Sequence, residues 1–464
     1  MPAETSLRNA QAGDGQVAIV GLGYVGLTLA VVAADCGYRV LGVEIRSEVL
    51  DALQRAQAHF SEPGIDRRLQ EHLASGHLTA RREFLHSDRC TTYIITVGTP
   101  IGPDKQTRIA AIASVTRTIA ERLQPDDLVI LRSTVRVGVT REVVKPILDQ
   151  AHVPYHLAFC PERTIEGSAL QELRQLPQIV GGIDEASRDL AVGFFSRIAT
   201  EVIAVESVEA AELVKLINNT ERDLRFAFAN EIAAMCDIIG VAAYDVINAC
   251  NHRYARSSLA LPGPVGGPCL TKDPYILAEG LQRHGLTPQL ALVGRETNEA
   301  VVGNAVAAVH NALTWLGAKS PVRRIAVLGL AFKGRPATDD LRGSTVFDLL
   351  HAVRRFFPDA AVVGYDRLVP ADAIAELGME PSDSIEAAFS GASAVFLHNN
   401  HPDLEGLPLA RFGQSMAKPG IVYDFWGQNR AVTGLPPGIH VAGLGLWPPT
   451  LSAAARSAVQ PNVA

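Results

Sequence analysis

The 464-residue sequence has no apolar run that reaches the ~18 residues of a membrane span. It also has no long basic run or stripe, and its net charge is -7. Phosphate backbones are bound by clustered Lys and Arg, so neither a nucleic-acid partner nor a membrane is expected. The six cysteines, Cys36, Cys90, Cys160, Cys236, Cys250 and Cys269, form no close CxxC pair. That removes the signature of a zinc knuckle or a redox dithiol, and no metal is expected. Scattered thiols in a chain this long are expected to be reduced, and five of them read as small buried hydrophobes. The polar start MPAETSLRNAQAGDG lacks the basic segment and apolar core of a signal peptide, so a cytoplasmic location is expected.

What is present is an ordinary globular composition, 47% apolar and 20% charged. At roughly 150 residues per domain the length suggests about three parts. The run QVAIV leads into GLGYVG, then a helical pattern, then RVLGVEI. Strand, glycine turn, helix and strand in that order are the context of a dinucleotide fingerprint. Gly21 allows the tight turn, Gly23 leaves room for a pyrophosphate, and Gly26 lets helix and sheet approach. With Tyr24 and Val25 between them, these residues are expected to hold NAD at a helix start. Glu44 ends the second strand and favours NAD over NADP by bonding a ribose and repelling a 2′-phosphate, while Arg46 nearby pulls the other way. Further strands end in Gly-Thr-Pro and Ser-Thr-Val, which puts Thr99 and Thr134 at the carboxyl edge where ligands sit. The segment YHLAFCPERTIEGSAL carries a later strand into a loop with Glu162, Arg163 and Glu166.

From position 208 apolar residues recur at three and four: Leu213, Leu216, Ile217, Leu224, Ala227, Phe228, Ile232 and Met235. No proline or glycine interrupts until Gly240, so a helix of more than 30 residues is expected. Such a length suits a bridge or a dimer seam, and Lys215 and Asn219 share one of its faces. Then RRIAVLGLAFKG echoes QVAIVGLGYVG with Ala331 near the place of a fingerprint glycine. The fold class is therefore α/β: two Rossmann-like parallel-sheet domains joined by a long central helix. The expected parts are a tail over 1–15, an NAD-binding domain over 16–206, a helical connector and dimerisation part over 207–318, a second Rossmann-like domain over 319–450, and a tail over 451–464.

One stretch fits no core: GPVGGPCLTKDP, residues 263–274, a glycine–proline loop carrying Cys269 with Lys272 and Asp273 behind it. Together with GLGYVG, PERTIEG, AELVKLINN, GLAFKG and TDDLRGS, this loop makes the chain resemble the UDP-glucose/GDP-mannose dehydrogenase family over roughly residues 16–447. The resemblance implies a homodimer that removes four electrons from carbon 6 of a UDP- or dTDP-sugar and consumes two NAD per product. It implies Cys269 as the nucleophile, with Lys215, Asn219, Asp273 and Glu166 around the reaction. It implies Arg163, Gly263, Gly266, Gly267, Phe332 and Lys333 along the sugar nucleotide, Arg253 reaching the partner subunit's substrate, and Arg342 approaching the dinucleotide. PER at 161–163 and PG at 262–263 lean to the N-acetylhexosamine branch, Lys272 to the glucose branch. The usual DGRN-like or DTRG-like element reads DFWGQNR at 424–430.

The chemistry explains a thiol there. Two hydrides must leave one carbon, and a thiolate holds the intermediate aldehyde as a thiohemiacetal and then as a thioester. Lys272 or Lys215 would favour the thiolate by opposite charge. Two rival readings are a two-electron NAD dehydrogenase, which needs no Cys269, and a non-catalytic nucleotide-sugar-binding protein.

Overall fold

The computed structural model describes residues 15–318, 321–448 and 451. The expected terminal tails lie outside this set apart from Gly15 and Leu451. The chain divides into two compact units: Met1–Asn219 with Lys272–Pro288, and Thr220–Thr271 with everything from Gln289 onward. The residues expected as one connector, 207–318, are thus shared between the units.

The first unit is built on eight strands: β1 (Gln16–Val20), β2 (Arg39–Val43), β3 (Leu78–Arg81), β4 (Cys90–Ile95), β5 (Asp127–Leu131), β6 (Tyr155–Phe159), β7 (Gln178–Gly182) and β8 (Val202–Val205). Their spatial order is 3-2-1-4-5-6-7-8, and the first six strands reproduce the dinucleotide-binding order. β1 to β6 run parallel, whereas β7 pairs antiparallel with β6. The link between those two strands contains a helix of only seven residues, Ala169–Gln175. An antiparallel neighbour needs no long crossover. Every residue of β5 is buried, as befits a strand covered on both faces.

The second unit repeats the pattern. Its strands are β9 (Arg324–Leu328), β10 (Ala361–Tyr365), β11 (Glu380–Pro381), β12 (Ala394–Leu397), β13 (Gly420–Asp424) and β14 (Ile439–Gly443). They order as 11-10-9-12-13-14, the same arrangement as β1 to β6, and all pairs are parallel. The two glycine turns then diverge. After β1 the helix α1 (Tyr24–Asp35) begins at once. After β9 no helix starts until Val346, and Asp366 at the end of β10 caps the turn by accepting from the N–H groups of Leu330 and Ala331. The second turn therefore has no helix start to offer a pyrophosphate.

Helix α2 (Val208–Ile239) runs unbroken for 32 residues and ends at Gly240, whose φ is +86°. Its inner face is small and polar: Ala211, Lys215, Asn219, Asp223, Ala227, Asn230 and Ala233 are buried. Of the larger apolar residues, Leu216 is buried but Ile217, Phe228 and Met235 are about half exposed. The other principal helices are α3 (Ala243–Asn251), α4 (Asp273–Gln282) and α5 (Gln289–Trp315). Among the described residues no helix is long and apolar enough to cross a membrane.

Candidate active site

At the glycine turn of the first unit, Gly21 has φ +95°, a left-handed conformation that favours glycine. A Cβ on Gly26 would collide with the Gly21 carbonyl, so the third fingerprint glycine is needed for contact within the turn itself. A Cβ on Gly23 would meet nothing nearer than Arg46 Nη2 at 3.9 Å. That open space over a helix start fits a pyrophosphate. Glu44 is 5% exposed and accepts from the N–H of Leu22 at 2.9 Å. Arg46 turns onto this carboxylate: its N, Nε and Nη2 all donate to it, at 3.0, 3.2 and 3.2 Å. Burial pushes Glu44 up, but the Arg46 bonds outweigh it and hold the carboxyl below its usual range. Val25 is half-buried at the second residue of α1.

Tyr24 turns its side chain elsewhere. Its buried hydroxyl donates to Glu62 and accepts from the N–H of Gly167 at 2.9 Å, and Glu62 accepts from Gly167 N (2.8 Å) and Leu170 N (3.2 Å). The pair pins the residue after Glu166, which is itself half-buried. The loop is fixed at its other end by a buried ion pair, Arg132 Nη2 to Glu162 Oε2 at 2.6 Å. Glu162 Oε1 in turn accepts from the N–H groups of Arg163 and Thr164 at 2.7 and 2.8 Å. Burial raises the Glu162 pKa, yet the Arg132 charge, with a contribution from Lys215, holds it below the usual range. Removing one partner of such a pair costs about 3–5 kcal/mol, because the other charge is left buried and unmatched. Thr99 Oγ1 donates to the Thr134 carbonyl at 2.6 Å. Glu212, on α2, accepts from Gly138 N, Thr140 N and Thr140 Oγ1 and so anchors the chain just after that edge.

Also in the first unit, Asn219 Nδ2 donates to Asp273 Oδ2 at 2.5 Å, and Lys272 Nζ donates to Asp273 Oδ1 at 2.9 Å. Asp273 is 0% exposed at the start of α4, where the helix dipole favours a carboxylate. Lys215 lies one turn before Asn219 on α2, is 7% exposed, and has no hydrogen bond or ion pair among the described residues. The arrangement offers an ammonium and an orientated amide.

In the second unit the cysteine loop is held from several directions. Gly267 has φ +100° and lies over the Phe332 ring, where a Cβ would come within 2.7 Å. Its N–H donates to the Gly343 carbonyl at 2.8 Å, and its carbonyl accepts from Thr271 Oγ1 at 2.8 Å. A Cβ on Gly266 would stand 2.7 Å from that same Gly343 carbonyl. Gly263 lies against the Trp426 ring of DFWGQNR, and Asn230 grips its N–H and carbonyl at 2.9 and 3.1 Å. Within this fixed frame Cys269 is exposed. Lys333 Nζ lies 5.3 Å from the centroid of the Phe332 ring. Arg253 is exposed just beyond α3 with φ +53°, and Arg342 is bidentate on Asp340. Arg430 stacks on Tyr244, with its guanidinium 3.5 Å from the ring centroid.

The sequence did not single out Asp223, Asn230, Arg295 or Asn298, all 5% exposed or less and all joined to this loop. A signal existed: Asp223 and Asn230 continue the Lys215–Asn219 face of α2 at helical spacing.

Comparison with known proteins covers both units. Models of the UDP-glucose/GDP-mannose dehydrogenase family match as the NAD binding domain at residues 15–199, the central domain at 209–300 and the UDP binding domain at 326–430. A UDP-N-acetyl-D-mannosamine dehydrogenase of Pyrococcus horikoshii is 32% identical over 406 residues, 86% of this chain and 93% of that protein. An NDP-N-acetyl-D-galactosaminuronic acid dehydrogenase of Ralstonia nicotianae is 31% identical over 409 residues, 85% of this chain and 93% of its own length. Among solved structures, the UDP-D-ManNAc dehydrogenase of Pyrococcus horikoshii superimposes with a TM-score of 0.83 at 32% identity, covering 93% of this chain and 99% of that one. A UDP-glucose dehydrogenase of Pyrobaculum islandicum gives 0.78 at 25% identity, covering 94% and 98%. The chain belongs to the UDP-glucose/GDP-mannose dehydrogenase family, as an NAD-dependent nucleotide-sugar dehydrogenase.

Proposed function

We propose that the chain oxidises carbon 6 of a UDP- or dTDP-linked N-acetylhexosamine to the uronic acid, with two NAD consumed per product and Cys269 carrying the intermediate. The observation that carries this reading is the state of Cys269: an exposed thiol on a loop fixed at Gly263 and Gly267. A buried thiol would be inert, and a thiol on a loose loop would be poorly aimed.

Gly21, Gly23, Val25, Gly26, Glu44, Thr99 and Thr134 would hold NAD, which when bound supplies the hydride acceptor. Lys215 and Asn219 stabilise the alkoxide and later the oxyanion, where preorganised donors count most. Asp273 fixes the Asn219 amide by accepting one of its N–H bonds. The Cys269 sulfur bonds to carbon 6 of the aldehyde and gives a thiohemiacetal, which becomes a thioester after the second oxidation. Glu166 orientates the water that releases the acid and frees the thiol. Arg163, Gly263, Gly266, Gly267, Phe332 and Lys333 bind the sugar nucleotide, and Arg253 serves the site of a partner subunit in a homodimer.

The N-acetyl sugar is favoured by the names of the Pyrococcus and Ralstonia relatives and by the PER and PG residues at 161–163 and 262–263. A second reading, glucose, is favoured by Lys272 and by the Pyrobaculum structure. The test is a panel of UDP- and dTDP-sugars scored by NADH release and product mass. An N-acetylhexosaminuronic acid with two NADH supports the first reading, and glucuronic acid supports the second. Tight binding without NADH would leave only a binding protein.

A further inference from the structure

We infer that Arg295 is a positioning residue for the Cys269 thiol, an inference that rests on Cys269 being the nucleophile. Arg295 projects from α5 and is 1% exposed. Its Nη1 donates to Asp223 Oδ1 at 2.7 Å and to the Leu270 carbonyl at 3.2 Å, and its Nη2 donates to the Val265 carbonyl at 3.3 Å. The two carbonyls bracket Cys269 on either side in the chain. A planar guanidinium can hold three acceptors at fixed angles, and the compact ammonium of a lysine cannot.

The hold continues beyond Arg295. Asn298, one turn along α5, donates to Asp223 Oδ1 and to the Asp223 carbonyl, both at 2.9 Å. It accepts from Asn230 Nδ2 at 2.8 Å, and Asn230 grips both polar groups of the Gly263 backbone. Residues 263–270 are therefore tied at the start, at Val265 and at the end through four buried side chains, while the thiol stays exposed. A network this buried serves to fix geometry rather than to touch ligand. Its expected effect is on the aim of the thiol, and small misplacements of a reacting atom are costly in rate.

The experiment uses the full chain with Arg295→Lys, which keeps the charge beside Asp223 but cannot span both carbonyls. The kcat should fall by about 30-fold or more with sugar-nucleotide KM within about threefold, the signature of lost aim rather than lost affinity. Iodoacetamide labelling of Cys269, mapped by peptide mass to separate it from the exposed Cys250, should change in rate by about fivefold or more without any substrate present. Wild-type kcat, a wild-type labelling rate, or a KM rise matching the kcat loss would each overturn the inference. If Arg295→Lys yields no soluble protein, Asn298→Ala breaks the middle link. It should lose about fivefold in kcat at unchanged KM, and a wild-type kcat and labelling rate there would overturn it. Labelling needs no turnover, so full activity in Cys269→Ser would end the nucleophile reading separately from the Arg295 result.

Discussion

Arg46 wraps Glu44, donating from its backbone N, Nε and Nη2 to one carboxylate. Glu44 is thereby held ionised just after β2, and Arg46 is engaged by it. NAD should exceed NADP in kcat/KM by at least about 10-fold, an effect of about 1.4 kcal/mol. Glu44→Ala removes the repulsion and releases the guanidinium, so the preference should shift toward NADP by about 10-fold or more. Steady-state kinetics with both cofactors decide this; an unchanged ratio in Glu44→Ala would remove Glu44 from cofactor choice.

His398 should make the second unit acid-sensitive. It is buried, with Nδ1 2.7 Å from the Gly329 carbonyl and Nε2 2.7 Å from Thr345 Oγ1. The neutral ring satisfies both contacts by donating to the carbonyl and accepting from the hydroxyl. Burial lowers its pKa to about 4. Unfolded, the ring takes a proton below about 6.5, so the unfolded state binds more protons between those values. Stability should therefore be fully present above about pH 6.5 and fall by about 3 kcal/mol as pH drops to about 4. Urea unfolding across this range should show a shallower pH slope in His398→Gln; equal slopes would contradict the assignment.

Much of the fold was legible because β-strands and glycine turns announce themselves locally. QVAIV with GLGYVG and RRIAVLGLAFKG pointed to two Rossmann-like sheets, and the six strands of the second follow the order of β1 to β6 in the first. What stayed hidden depends on partners distant in sequence. Nothing local to Arg295 marks it, because its partner Asp223 lies 72 residues earlier. Tyr24 stands at the helix start of the glycine turn, and the sequence did not show that Glu62 and Gly167 hold its hydroxyl. The periodicity of α2 shows that its faces differ but not which one lies inward. The inward face is alanine and polar residues, and Phe228 and Met235 are exposed.

That exposure bears on assembly. Phe228, Met235, Ile238 and Ile239 are 51%, 46%, 59% and 73% exposed along one helix. An apolar surface of this kind marks an interaction site. The expected outcome is a homodimer with α2 in its seam, and Phe228→Asp with Ile239→Asp should dissociate it. Light scattering over a dilution series checks the mass, and a fully active wild-type monomer would refute the seam together with the shared role of Arg253.

Lys215 is a buried residue that makes no hydrogen bond or ion pair among the described residues. On the proposed reading it meets a charge that arises only during reaction. Lys215→Ala should lower kcat by about 100-fold or more, with KM changed far less. The Cys269 labelling rate with iodoacetamide should stay near wild type if Lys272 rather than Lys215 favours the thiolate, because the loop is held through Arg295 and Asn230. A KM rise that accounts for the whole loss would make Lys215 a binding group only.

Cys269 carries the sharpest expectation. If the thiol forms the covalent intermediate, the wild-type chain releases two NADH per sugar acid. Cys269→Ser keeps the size, but a hydroxyl does not ionise near neutral pH, and an ester would hydrolyse slowly. Turnover should fall by orders of magnitude while sugar-nucleotide affinity is nearly unchanged, since the thiol adds little to ground-state binding. Glycine at 267 and the Arg295 clamp should keep the variant loop in place, so the loss reports chemistry rather than folding. Early quenching of the wild-type reaction should give enzyme plus substrate by intact mass, mapped to Cys269. A serine variant with wild-type rate and two NADH per product would leave the held, exposed thiol without a catalytic role.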